Sequence, residues 1–431
     1  MLSPAENEVL TRTNAGTPMG QFMRAHWFPF MLSDELKSDA APQRIMLLGE
    51  KLVVFRDSSG RIGLVAELCP HRRASLYFGR NEQDGLRCVY HGWKFDVEGR
   101  CVDMPSHPQG CPLQDKVRLL AYPCVENSGL VWTCMTEQRH DASPPVLPEL
   151  PWTAVPDSHR HISRWLQDCN WAQALEGEID EAHVGFLHRR LDNSHAPIDK
   201  HALSGGYFVE DSRPEYSVAA TGYGLACAAR RQVEGRQLWR INLFLAPFYT
   251  LIPPSDDPHS RIGRVWIPAD DEHCWVVCIT WRDDHPPAED ELARWKNGVV
   301  GHRRVIPGTT RPVERADNDY LIDREEQRTR SCTGVAGIRA QDALVTESCG
   351  PIVDRSLEHL GPSDRAVVAY RRWAVRAARL AAGGQIPATA KDGKLYRAQA
   401  LQLWADDESA FETLPEAAAA LGANARDEST Q

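Results

Sequence analysis

No apolar run in this chain approaches the roughly 20 residues that a membrane-crossing helix requires, and no membrane is expected as a partner. No basic block stands out either. With 49 Lys and Arg against 59 Asp and Glu the net charge is −10, so nucleic acid and anionic lipid surfaces are poor partners. The N-terminal MLSPAENEVLTRTNAG lacks both a basic n-region and an apolar h-region, so no secretion signal is read and the cytoplasm is the expected compartment. No Gly-x-Gly-x-x-Gly follows a strand-like run, so no nicotinamide or flavin is expected on this chain. Internal repeats are absent. Disulfides are not expected, because outside Cys69 and Cys88 the twelve cysteines are scattered singly through apolar or strand-like stretches. Cys101, Cys111, Cys124 and Cys134 are read as structural thiols.

What is present is enough for two domains, since 431 residues exceed one typical domain and apolar residues make up 42% of them. Residues 1–39 form an N-terminal segment expected to pack on the larger domain. Within it, GTPMGQFMRAHWFPF reads as a loop leading into an aromatic packing segment. From residue 40 to 140 the texture is all-β. RIMLLG, KLVVFRD and IGLVAEL are divided by Gly49-Glu50 and Ser58-Ser59-Gly60, and two later hairpins turn at Glu98-Gly99 and Asn127-Ser128-Gly129. The Pro-rich stretch 141–152 is the linker. Residues 153–414 combine a helical stretch, NWAQALEGEIDEAHVGFLHRR, with the strands YSVAATGYGLACAARRQV, LWRINLFLAPFYTLIPP, RIGRVWIPA and CWVVCITWR. Helices are expected again at QDALVTESCG and over residues 363–384, the second ending at Gly383-Gly384. The class is α+β, an all-β domain followed by one in which an antiparallel sheet covers helices. Residues 415–431 are expected to fray.

Two constellations carry chemistry. The first is Cys69-Pro-His71, then sixteen residues, then Cys88-x-x-His91. Two thiols and two imidazoles are the ligand set of a Rieske-type [2Fe–2S] cluster, two cysteines for one iron and two histidines for the other. Zinc is the competing occupant. Its fingers usually pair two cysteines on one knuckle and two histidines on the other, whereas each loop here carries one of each. Pro70 stiffens the first loop and Gly92 lets the second turn close to a cluster.

The second constellation is Asp180-x-x-His183-x-x-x-x-His188. Two imidazoles and a carboxylate, with other positions open, suit a non-haem Fe(II) oxygenase centre. Five residues span about 500° of an ideal helix, so His183 and His188 share an ion only if the helix distorts or ends between them, with Gly185 the residue that permits it. Asp180, three residues before His183, can approach that imidazole from the neighbouring turn. A third iron ligand has to come from elsewhere. The acidic stretch from 313 to 365 is the place to look, and composition alone does not choose among its carboxylates.

These motifs, with LTRTNAGTPMGQFMRAHWFP, NWAQALEGEIDEAHVGFLH and AQDALVTESCGPIVDRSLEHLGPSD around them, resemble the oxygenase (alpha) component of Rieske non-haem iron aromatic ring-hydroxylating enzymes, in the phthalate-dioxygenase-like branch. The resemblance covers nearly the whole chain and implies a helix-grip catalytic domain. It implies one [2Fe–2S] cluster, held by Cys69 and Cys88 on one iron and His71 and His91 on the other. It implies one mononuclear Fe(II) per subunit, held by His183, His188 and Asp342, although Glu347, Asp354 and Glu358 lie nearby. Asp180 resembles the acidic residue that links the two centres between neighbouring subunits, from a cluster histidine, here His91, to an iron-ligand histidine. A separate NAD(P)H-dependent flavin and iron–sulfur reductase, O2, a small aromatic substrate and a homotrimer or stacked trimers are implied as partners.

For the substrate, the branch suggests an aromatic carboxylate of the phthalate or halobenzoate kind, dihydroxylated on the ring. Arg240 in LWRINLFLAPFYTLIPP is the candidate cation for that carboxylate, ahead of Arg213 and Arg230. A Rieske monooxygenase such as an O-demethylase shares every metal ligand. A bare electron carrier or a zinc-stabilised module leaves the second histidine site unexplained.

Overall fold

Short turns with positive φ organise the β-rich half. Gln43–Leu47 and Glu50–Arg56 are joined by Leu48-Gly49, at φ 48° and 79°, the left-handed pair that a two-residue hairpin demands. In this computed structural model the chain is described over residues 2–136, 145–191, 208, 211–253, 260–299, 301–406 and 410–421. Beside a three-stranded antiparallel sheet of Trp27–Leu32, Leu130–Cys134 and Cys124–Asn127, the first domain contains two four-stranded ones. One runs Gln43–Leu47, Glu50–Arg56, Ile62–Ala66 and Ala121–Tyr122, the other Arg80–Asn81, Leu86–Arg87, Lys94–Phe95 and Cys101–Asp103. Val53, Phe55, Leu76, Leu86, Trp93 and Phe95 pack around Cys69 and Cys88 in a separate core.

The second domain is built on one eight-stranded antiparallel sheet. Its order is Arg160–Gln167, Cys274–Arg282, Ser260–Pro268, Tyr249–Ile252, Arg236–Leu245, Gly224–Val233 and Glu215–Thr221, with Leu401–Ala405 added to Arg236–Leu245. Every residue of Cys274–Arg282 is buried, which explains its unbroken apolar run: both faces of the strand are covered. On one face lies the helix Trp171–Ile179, buried nearly all round and started by Asn170, whose Oδ1 accepts from Ala172 N–H. The other face meets the strand Trp27–Leu32 and the linker, where Trp152 packs edge-on against Trp281 and approaches Gly263 closely. The α+β class and the sheet-over-helix layering are those expected from the pattern.

Several local expectations change. The stretch GTPMGQFMR, read as loop, contains a helix, Pro18–Arg24, capped by Thr17 and opened by Pro18. Together with Pro4–Thr11 it packs on the long helix Arg365–Ala382, where Phe22 meets Trp373 at 6.0 Å. Pro415–Leu421, read as part of a frayed tail, is a helix with Ala417 and Leu421 buried, while 422–431 lie outside the described residues. The break in the 170–190 helix falls at Asp180 rather than between the two histidines. Asp180 caps Trp171–Ile179 in extended conformation, and a separate turn, Val184–Leu187, joins His183 to His188. Gly185 has a different use, since a Cβ there would stand 2.5 Å from the carbonyl oxygen of Phe208. Among the described residues no helix is long and apolar enough to cross a membrane.

Candidate functional site

The two cysteine loops repeat one backbone plan. Cys69 N–H donates to Ala74 O and Arg73 N–H to Cys69 O, both at 2.9 Å; Cys88 N–H donates to Trp93 O at 2.8 Å and Gly92 N–H to Cys88 O at 3.0 Å. The fourth residue after each cysteine is left-handed, Arg73 at φ 60° and Gly92 at 79°. A side chain at Gly92 would also meet Pro105 at 2.6 Å. The plan buries both thiols and leaves His71 and His91 partly exposed at the tip, their ring centroids 4.5 Å apart. Trp93 lies flat against His71 at 4.3 Å and 7°. Burial, opposed by hydrogen bonding from the loop backbone and reinforced by Cys88, pushes the Cys69 thiol up to about 11. Among the described residues His91 Nδ1 is buried with no hydrogen-bond partner, a donor atom left for something other than protein. Among the described residues, His183, His188 and Asp342 are the group whose donor atoms crowd within 4.8 Å of one another; the four cluster donors do not converge in this way on one point.

At the second site, His188 Nε2 lies 3.2 Å and His183 Nε2 3.5 Å from Asp342 Oδ1, and the two rings are 5.2 Å apart. Each imidazole is held by its other nitrogen. His183 Nδ1–H donates to Asp180 Oδ2 at 3.1 Å, and His188 Nδ1–H to Gln341 Oε1 at 2.7 Å. The Gln341 amide cannot turn round, because its Nε2 already donates to Val335 O at 2.8 Å. In its neutral form each histidine therefore keeps its proton on Nδ1 and turns Nε2 to the same place, the tautomer a metal requires.

Asp180 is itself held by Ala182 N–H at 2.8 Å and by Tyr216 O–H at 3.1 Å, both on Oδ1. Burial pushes its carboxyl up, but His183 and these donors outweigh it and keep it below the usual range. Burial pulls the His183 imidazole down, and Asp180 and Asp342 overcome this to hold it up at about 10. Asp342 lies well below the ordinary carboxylate range: Arg339 and the two histidines prevail over burial.

Three glutamates on this helix and turn anchor the frame, each between two arginines. Glu176 bonds Arg355 and Arg371, Glu178 bonds Arg264 and Arg339, and Glu181 bonds Arg231 and Arg240. Buried carboxylates need such partners. Arg240, the candidate for a substrate carboxylate, is engaged with protein groups in this structure. Its Nε donates to Glu181 Oε2 at 3.1 Å, Nη1 to Gln402 Oε1 at 2.7 Å and Nη2 to Pro253 O at 3.3 Å. A guanidinium so engaged braces the turn after Asp180. A cavity of about 130 Å³ between the helices Trp171–Ile179 and Ile338–Ser348 is lined by Asp180, His183, Arg339, Asp342, Gln167 and Thr346, and not by Arg240. A larger cleft, about 1390 Å³, runs along the edge strand Glu215–Thr221 and meets the site at Ala182 and Tyr216.

Sequence reasoning did not find Gln341, Arg339 or Trp93. The Gln-Asp pair at 341–342 was the one available signal, since adjacent polar residues between Ala340 and Ala343 call for partners.

Fold and donor sets together define a two-centre protein, a Rieske-type cluster domain followed by a helix-grip domain with a 2-His-1-carboxylate site. Residues 26–123 match the Rieske [2Fe-2S] domain, and residues 135–405 match the family described as LigXa C-terminal domain like. The chain is 38% identical to the 3-chlorobenzoate-3,4-dioxygenase oxygenase subunit of Comamonas testosteroni, over 91% of this chain and 92% of that one. It is 39% identical to the phthalate 4,5-dioxygenase oxygenase subunit of Pseudomonas putida, over 86% and 85%. In fold it is similar to the terminal oxygenase of carbazole 1,9a-dioxygenase from Nocardioides aromaticivorans, with TM-score 0.58 and 18% identity over 87% of this chain and 98% of that one. The chain belongs to the Rieske non-haem iron oxygenases, as an oxygenase component of the phthalate-dioxygenase-like branch. Its cofactors are one [2Fe–2S] cluster and one mononuclear iron.

Proposed function

We propose that the chain is the terminal oxygenase of a multicomponent system that dihydroxylates an aromatic carboxylate of the phthalate or halobenzoate type, fed by a separate NAD(P)H-dependent reductase. The observation that carries this is the meeting of His183, His188 and Asp342, backed by Asp180, in a chain that also has a Rieske domain. The substrate class follows from the printed activities of relatives at 38% and 39% identity. The bound metals supply one-electron transfer and O2 activation.

The residues do the rest. Cys69 and Cys88 offer two thiolates to one cluster iron, and His71 and His91 two imidazoles to the other. The buried, unpartnered His91 Nδ1 supports ligation through that atom, with the outer edge of the ring as the electron outlet. Asp180 keeps a proton on His183 Nδ1, which frees Nε2 as a ligand and raises its basicity. Asp342 adds the carboxylate.

We assign the acceptor of His91 to Asp180 of a second copy in a head-to-tail trimer. Exposed apolar side chains at both ends support it: Val89 and Tyr90 beside His91, the latter 52% exposed, and Phe186, 71% exposed, beside His188. The test is incubation with a reductase, NADH and a panel of benzoates, phthalates and methoxyaromatics, followed by mass spectrometry. A cis-diol carrying both atoms of labelled O2 is expected. Formaldehyde from a methoxyaromatic would make the chain an O-demethylase, and O2 uptake without any oxygenated product would contradict both.

A further inference from the structure

We infer that Arg339 is a positioning residue that fixes how Asp342 meets the metal: its guanidinium occupies Oδ2 and leaves Oδ1 alone to face the two histidines. This rests on reading His183, His188 and Asp342 as the iron ligands. Arg339 Nη1 stands 2.8 Å from Asp342 Oδ2, while Oδ1 stands 3.2 Å and 3.5 Å from His188 Nε2 and His183 Nε2. Oδ2 is buried and accepts no hydrogen bond among the described residues, so the Arg339 ion pair is what holds it.

Arg339 is fixed in turn. Its Nη2 lies 3.1 Å from Glu178 Oε2, and Arg264 takes the other oxygen of Glu178. A row of alternating charges, Arg264, Glu178, Arg339 and Asp342, thus runs from a central strand through the helix Trp171–Ile179 to the ligand carboxylate. No side chain in the row is more than 11% exposed. A planar guanidinium can span two carboxylates in one geometry, which the point charge of a lysine does not reproduce.

The consequence lies in how many positions remain open. A carboxylate tied at one oxygen donates through the other only, and a 2-His-1-carboxylate set works by keeping positions free. Released from Arg339, Asp342 is free to close on a cation with both oxygens, as carboxylates do elsewhere.

The experiment uses the full chain with its cluster, reloaded anaerobically with Fe(II), in native and Arg339→Met forms. X-ray absorption counts the light-atom neighbours of the iron, and nitric oxide serves as an EPR probe. In Arg339→Met one additional neighbour and an altered rhombicity of the nitric oxide signal are expected. Turnover is expected to fall about 10–100-fold, with KM for the aromatic acid and the cluster spectrum unchanged. Native absorption and EPR signatures, with only a lower melting temperature, overturn the inference. Should Arg339→Met fail to fold, Arg339→Lys takes its place, with the same changes expected in smaller measure and a native signature again overturning it. Asp342→Ala separates the two readings. Native iron affinity there defeats the ligand assignment itself, whereas iron loss there beside native-like Arg339 variants defeats only the role of Arg339.

Discussion

At His188 the proton is placed by a neutral amide, whereas at His183 it is placed by a carboxylate. Gln341→Leu removes the acceptor at 2.7 Å without changing size much. It is expected to cost about 10–100-fold in Fe(II) affinity by anaerobic titration, with the cluster spectrum unchanged; native affinity would refute the role. Arg240→Ala leaves the buried Glu181 with one of its two arginines, Arg231, so a stability loss of up to about 3 kcal/mol is expected by chemical denaturation. A sharp KM rise at unchanged stability would instead return Arg240 to the substrate. These residues also mark how far the sequence could be read. Asp180, His183 and His188 were legible because their spacing is local and their donor types are rare together. Asp342 needed the family resemblance, since its acidic neighbourhood offers many equals. The roles of Gln341 and Arg339 were not legible, because their distant partners, His188 and Glu178, are brought to them by how the stretch 171–191 packs against the helix Ile338–Ser348.

Elements were legible where the pattern is periodic and obscured where tertiary contacts override it. The strands of the large sheet showed as apolar runs, but Arg160–Gln167 and Leu401–Ala405 did not, being short or only partly buried. Thr17-Pro18 signals a helix start, yet the helix it opens has only seven residues and stands by packing on Arg365–Ala382. That junction also sets a pH response. His26 sits there with Nδ1 2.9 Å from Phe22 O and Nε2 2.8 Å from Thr389 Oγ1, and burial pulls its pKa down to about 4. The folded state keeps this imidazole neutral, while the unfolded chain takes up a proton at the ordinary histidine value. The contribution is therefore complete above about pH 6.5 and is lost as pH falls toward 4, at up to about 1.4 kcal/mol per unit. Denaturation curves across that window should slope less in His26→Gln than in the native chain, and equal slopes would contradict the assignment.

For the whole molecule, a cluster pole and an iron pole are legible in the sequence, but their relation is not, because no residue pattern records distance between domains or copies. In the proposed trimer, His91 at the tip of one copy faces Asp180 of the next. Size-exclusion chromatography with light scattering should give a trimer or a multiple of it, and a fully active monomer would refute the arrangement. The most direct measurement is single-turnover reoxidation of the prereduced cluster, with iron and an aromatic acid bound, after mixing with O2 by stopped flow. Asp180→Asn keeps the size of the side chain and removes its charge beside His183. With iron content equal to native, cluster reoxidation in Asp180→Asn is predicted to slow by about 10–100-fold. Reoxidation at the native rate would contradict the coupling of the two centres through Asp180.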